Sequence, residues 1–194
     1  MARPDSSGRG RLFVVSGPSG AGKGTVVAGV QRQRPDVFVS VSATTRPARR
    51  GEINGTNYHF VTERDFVGGR DRGEYLETAE VYGNYYGTPR APVEAALRAG
   101  RDVILELDIQ GALAVKRAEP AAILIFIEPP SLDDLFSRLR GRATEDPDAL
   151  RRRVEAAYDE VKERGAYNHI VINDRIDDAV DQVIRILEKT PHGG

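Results

Sequence analysis

Leu12-Phe13-Val14-Val15 runs through Ser16 into Gly17-Pro18-Ser19-Gly20-Ala21-Gly22-Lys23-Gly24-Thr25. An apolar, β-rich run enters a Gly-rich loop, and apolar residues recurring at three and four from Lys23 to Arg32 predict a helix after it. Glycines let backbone N–H groups turn inward around a polyphosphate, Lys23 adds a point charge, and the helix aims its positive end at the same anion. Gly17, Pro18, Ser19, Gly20, Ala21, Gly22, Lys23, Gly24 and Thr25 therefore form the candidate nucleoside triphosphate site, with Lys23 also the first candidate catalytic group. One position departs from the strict pattern. Gly24 stands where Ser or Thr normally follows the lysine, so the hydroxyl expected to face Mg²⁺ is that of Thr25.

Outward from this loop, further short apolar runs at Val103–Leu107, Ala122–Ile127 and Ile170–Ile172 suit central strands covered on both faces. Helical periodicity at Pro89–Arg98, Gln110–Lys116, Ser131–Leu139 and Asp177–Leu187 alternates with them. The expectation is an α/β fold with a doubly wound parallel sheet, its core drawn from residues 11–37, 89–134 and 165–189. Residues 38–88 break the alternation with strand-like pieces at Phe38–Val41, Tyr58–Val61 and Tyr75–Glu80, a short helix near Glu63–Val67, and turns at Asn54-Gly55 and Gly83-Asn84. They read as an inserted, partly antiparallel flap. Residues 135–164 are highly charged and poor in apolar side chains, and read as a mobile lid outside the core. The tails, 1–10 and 190–194, are expected to fray.

Composition excludes several classes. The 194 residues suffice for one well-buried domain, and a formal net charge of -1 offers no global positive field for nucleic acid or an anionic membrane. Zero cysteines exclude disulfides, thiolate metal sites and a cysteine nucleophile, as suits the cytoplasm. His59, His169 and His192 are too scattered for a metal pattern, and no apolar run approaches membrane-spanning length. Of 28 basic residues only Lys23, Lys116, Lys162 and Lys189 are lysine, which leaves 24 arginines. Arginine is the bidentate partner of phosphate, but the excess proves nothing without placement.

A phosphate loop names a triphosphate and no reaction; the inserted segment carries more. In Thr44-Thr45-Arg46-Pro47-Ala48-Arg49-Arg50-Gly51-Glu52-Ile53-Asn54-Gly55-Thr56-Asn57-Tyr58-His59-Phe60, two arginines three apart and a phenol can converge on one phosphate. This string resembles the guanylate kinase family, whose signature T-[ST]-R-x-x-[KR]-x-x-[DE]-x-x-G-x-x-Y-x-[FY] it matches at every specified position from Thr44 to Phe60. The resemblance extends from Leu12 to about Leu187.

The resemblance implies a P-loop kinase that transfers the γ-phosphate of ATP to GMP, with Mg²⁺ as cofactor, ATP and GMP as its small-molecule partners and no nucleic-acid or membrane partner. It assigns Arg46, Arg49, Tyr58 and Tyr86 to the GMP phosphate, and Ser42, Glu77, Thr88 and Asp108 to guanine. Guanine presents two adjacent donors, N1–H and an exocyclic amine, so a carboxylate such as Glu77 is the expected reader. Glu106 and Asp108, two apart at the end of one strand, fall on one face at the sheet edge where ligands bind, and Glu106 is assigned with Thr25 to the metal. Glu106 stands where related enzymes commonly have Asp, which puts direct coordination in question. Arg138, Arg142 and Arg153 match the family's lid arginines, expected to neutralise the transferring phosphoryl, and Asn173 is matched to the adenine side. Two other readings stay open: a sister kinase acting on ribose 1,5-bisphosphate, and a non-catalytic guanylate-kinase-like module that binds proteins through the flap.

Overall fold

The computed structural model describes residues 8–81, 83–131, 133–135, 155 and 160–191. Five parallel strands form the main sheet: β1 (Leu12–Ser16), β2 (Phe38–Val39), β7 (Val103–Glu106), β8 (Ile123–Glu128) and β9 (His169–Ile172), in the order β2-β7-β1-β8-β9. The phosphate-loop strand β1 is central, and the sheet grows outward from it in both directions. Ligands in such sheets bind beyond the carboxyl ends of the strands at the point where the order reverses, here the ends of β1 and β7.

Side-chain alternation along the strands explains the layers. Phe13 and Val15 point to one face, where Val26 and Val30 of α1 (Lys23–Gln33) and Val180, Val183 and Leu187 of α5 (Ile176–Lys189) cover them. Val14, Leu105 and Leu124 point to the other, against Val93 and Leu97 of α3 (Arg90–Arg98) and Ala112 and Val115 of α4 (Ile109–Ala118). Continuous apolar strands thus feed two cores, as expected of a doubly wound sheet.

The second sheet has four strands in the order β4-β3-β6-β5: β3 (Ala43–Thr44), β4 (His59–Phe60), β5 (Tyr75–Val81) and β6 (Asn84–Pro89). It is antiparallel except where β3 meets β4. The helix α2 (Glu63–Asp71), capped by the Thr62 hydroxyl, seals its outer side by stacking Phe66 on Tyr75 and Tyr85 at 4.6 and 5.5 Å between ring centroids.

Three boundaries differ from the sequence reading. Phe38–Val39, read there as the start of the insertion, pairs instead with Val103 and Ile104 of β7, and the Ser40 N–H still reaches the Ile104 carbonyl at 3.0 Å. A two-residue edge strand carries too little pattern to be separated from the flap that follows it. The ends also hold further out than expected. Gly10 is buried and donates to the Leu97 carbonyl at 2.8 Å. Thr190 is tied to Ile186 through both its N–H and its hydroxyl, and its carbonyl accepts from the Arg11 guanidinium. The expected lid, and the later part of the helix read from Ser131 to Leu139, fall largely outside the described residues.

Arg11 makes a clamp at the amino-terminal edge of the sheet. Its backbone N–H and Nε both donate to Asp102 Oδ1 at 3.0 Å, and a second guanidinium nitrogen pairs with Oδ2, with side chains only 10% and 9% exposed. Removing one member strands the other as a buried charge. Asp102→Ala should therefore cost about 3 kcal/mol, read as a fall of roughly 6–12 °C in Tm with kcat unchanged.

Candidate active site

Beyond the carboxyl ends of β1 and β7 lies a cleft of about 430 Å³, with the phosphate loop on one wall and the four-stranded sheet on the other. The loop wall is built to meet an anion. Gly22, at φ 88°, starts α1 in a left-handed conformation, and no side chain caps the helix and no acid stands in its first turn. Among the described residues every other helix start of α2 to α5 carries such a group or a proline: Thr62 and two acids at α2, Pro89 before α3, Asp108 at α4, two acids at α5. With no side-chain cap and no acid in its first turn, the positive end of α1 suits an anionic ligand.

A carboxylate already makes the point. The Ser19 N–H donates to Glu160 Oε2 at 3.3 Å, and burial pushes the Glu160 carboxyl up, opposed by nearby Lys23. Nothing in the sequence pattern marks Glu160, because the contact spans more than 140 residues. Lys23 Nζ folds back on the Gly17 and Pro18 carbonyls at 2.7 and 3.2 Å, bridging the loop's two ends.

Ser19, Gly20, Gly22, Lys23, Gly24 and Thr25 line the cleft directly. Gly17, Pro18 and Ala21 act instead through the loop's framework. Asn173, expected near adenine, is placed behind that framework: it is 1% exposed and its Nδ2 donates to the Ala21 carbonyl at 2.7 Å. The end of β9 delivers its side chain to the buried side of the loop, so its visible work is bracing.

Glu106 and Thr25 share the cleft. Although open to the cleft, the Glu106 carboxyl is ringed by protein, and this burial pushes its pKa up while Lys23 pulls it down. A Cβ at Gly24 would meet the two Glu106 oxygens at 3.4 and 3.5 Å, ordinary contact distances that make the loop position and the acid close neighbours.

On the facing wall, β5 presents Glu77, Ala79 and Val81 by strict alternation, and β6 presents Tyr86 while Tyr85 turns away to stack on Phe66. Glu77 is 8% exposed and accepts from the Thr88 hydroxyl at 2.8 Å. Burial pushes its pKa up to about 7, the Thr88 bond working against the shift and the Asp108 charge adding to it. Thr88, fully buried, thus lies behind Glu77 and orients it. Ser42, Tyr58 and Asp108 also line the cleft. Asp108 has a structural task as well, since its carboxylate accepts the Gly111 N–H at 2.7 Å and caps α4.

Tyr58 meets Tyr86 edge-on at 6.0 Å, and the Arg46 guanidinium lies 5.4 Å over the Tyr58 ring. Burial raises the Tyr58 phenol, keeping it a neutral donor. Arg49 is exposed in the same loop, and Arg138, Arg142 and Arg153 lie outside the described residues. Sequence reasoning assigned no role to Glu52, although it lies inside the quoted motif; the structure places it on both Arg46 and Arg49.

A helix start without a side-chain cap faces, across one cleft, the buried Glu77 carboxylate and the Tyr58–Tyr86 pair, with the Arg46 guanidinium over the Tyr58 ring: fold and site define a phosphate-loop kinase. Residues 9–190 match the family model described as guanylate kinase. The chain is 48% identical over 187 residues to a guanylate kinase of Clostridium perfringens, covering 96% of this chain and 87% of that protein. It is 48% identical over 177 residues to one of Gloeobacter violaceus, covering 91% and 86%. The crystal structure of guanylate kinase from Anaplasma phagocytophilum superposes with a TM-score of 0.78 at 32% identity, covering 94% of this chain and 86% of that one. The chain belongs to the guanylate kinase family. Among the described residues no helix is long and apolar enough to cross a membrane.

Proposed function

We propose that this protein transfers the γ-phosphoryl group of ATP to GMP, giving ADP and GDP, with ATP on the phosphate loop and GMP against the four-stranded sheet. The observation that carries the reading is the pairing, in one cleft, of the uncapped α1 start with the buried Glu77 carboxylate. Guanine offers two adjacent donors, and Glu77 supplies acceptors already shaped by Thr88. Arg46 and Arg49 draw the acceptor phosphate forward, while Tyr58 and Tyr86 add hydroxyl donors beside it. Lys23 releases the Gly17 and Pro18 carbonyls to follow the transferring charge. No covalent enzyme intermediate is required, because a phosphate oxygen is already an anionic nucleophile and catalysis rests on positioning and screening.

Mg²⁺ suits the hard oxygen donors in the cleft, the Thr25 hydroxyl and the Glu106 carboxylate. Among the described residues no group of three acids or histidines forms an all-protein cage, in keeping with an ion that retains waters and phosphate oxygens. When bound it would neutralise phosphoryl charge.

ADP release measured with GMP, AMP, CMP, UMP and ribose 1,5-bisphosphate as acceptors tests the assignment. GMP should exceed every other acceptor by at least about 10²-fold in kcat/KM, the penalty for leaving a buried reader unpaired. Faster turnover of ribose 1,5-bisphosphate would replace the proposal with a sugar-phosphate kinase, and failure to bind ATP with no turnover at all would replace it with a binding module.

A further inference from the structure

The loop from Arg46 to Glu52 is closed on itself by one carboxylate. Glu52 accepts from two nitrogens of the Arg46 guanidinium, both at 2.9 Å, and its Oε2 also accepts the Arg49 backbone N–H at 2.7 Å. In return the Glu52 N–H donates to the Arg49 carbonyl at 3.0 Å. Arg46 is additionally anchored to the Pro47 carbonyl at 2.7 Å and lies over the rings of Tyr58 and Phe60, at 5.4 and 5.8 Å. The pair is only partly open to water, Arg46 being 13% and Glu52 20% exposed. The Arg46 bond holds the Glu52 carboxyl below the usual carboxylate range, so it is an anion at neutral pH.

A fork held at both prongs cannot rotate. Of the five N–H groups of a guanidinium, three are spent on Pro47 and Glu52. What remains for an incoming phosphate is one fixed edge, shared with the Tyr86 hydroxyl that interacts with the guanidinium. The same Oε2 that fixes this edge also fixes where the backbone leaves for the Arg49 side chain. We propose that Glu52 is the positioning residue for the acceptor phosphate, setting Arg46 and Arg49 in relation to each other while touching no substrate itself. This rests on the GMP reading above and names the group that organises its phosphate grip.

Simple electrostatics predicts the opposite sign, which makes the idea testable. A carboxylate beside a phosphate site repels the ligand, so if Glu52 were only a solvated counter-charge, Glu52→Gln would lower the KM for GMP. As a positioning residue its loss should raise that KM roughly tenfold, the value of one well-placed charge-assisted bond, with kcat within about threefold. Glu52→Asp, which keeps the charge and one acceptor pair, should recover part of the loss. Guanosine, which lacks the phosphate, should compete equally well against wild type and Glu52→Gln, and the variant's Tm should stay within about 3 °C, as for other pairs with access to water. An unchanged or lowered KM overturns the proposal, as does a matching loss of guanosine affinity. Calorimetric titration with GMP in the absence of ATP reads the same contact if the wild-type protein proves to have no GMP turnover, a failure of the parent reading that is visible before any variant is compared.

Discussion

Lys23→Ala should lower kcat by roughly 10²–10³, the cost of removing one placed donor from developing phosphoryl charge, while the KM for GMP changes by no more than about threefold. The asymmetry follows from where Lys23 sits. Its ammonium spans the Gly17 and Pro18 carbonyls on the loop wall, across the cleft from the sheet that carries Glu77 and Tyr86. The acceptor site is therefore built without it. A lysine is also a compact point charge with three donors on a flexible stem, able to leave loop carbonyls for a moving phosphoryl oxygen. Lys23→Arg should rescue turnover poorly, because a planar fork cannot make the same pair of carbonyl contacts inside a tight loop. Steady-state kinetics with either substrate varied, beside a Tm for each variant, separates these effects. A Lys23→Ala protein that turns over within threefold of wild type would remove the loop from the reaction.

Legibility in the sequence followed the reach of each interaction. Core strands such as Leu12–Ser16 and Ile123–Glu128 announce themselves because both faces are buried and no polar residue interrupts them. The phosphate loop is equally plain, since strand, glycine loop, lysine and helix follow one another without interruption from Leu12 to Gln33. Glu77 is placed at the base only through resemblance, because an acid on a strand carries no local sign of burial; what suits it to the proposed role is the fold, which closes Thr88 and Asp108 around it. Asn173 shows the converse. A family match put it toward adenine, yet its amide is engaged with Ala21, 152 residues away, a partner no periodicity reveals. Arg46 and Arg49 were visible by spacing, whereas the acid joining them was passed over, since charge neighbours within a polar hairpin look alike until a fork geometry singles one out.

Glu77→Gln should lower kcat/KM for GMP by roughly 10²-fold, near the top of the range for one buried, mispaired group of about 1–3 kcal/mol, and should narrow the preference over AMP more than it lowers total activity. A glutamine offers one acceptor and one donor, a mismatch for guanine's two donors and a match for adenine's donor and acceptor. The wild-type pH profile supplies the independent half of the prediction. With its pKa raised from 4.5 to about 7, free Glu77 is substantially protonated on the acid side of neutrality. Binding guanine's donors favours the carboxylate, so GMP uptake releases a proton, and log KM should climb by up to about one unit per pH unit below pH 7. Linkage at Glu77 itself runs the other way for folding. A carboxyl whose folded pKa is raised contributes stability that is fully present below its ordinary 4.5 and is lost as pH rises through about 7, so acidification over that window favours the fold at this site. The phosphate of GMP titrates near pH 6, but Glu77→Gln retains that titration and lacks the carboxyl. The difference between the two profiles therefore belongs to Glu77, and parallel profiles would show that its proton plays no part in choosing guanine.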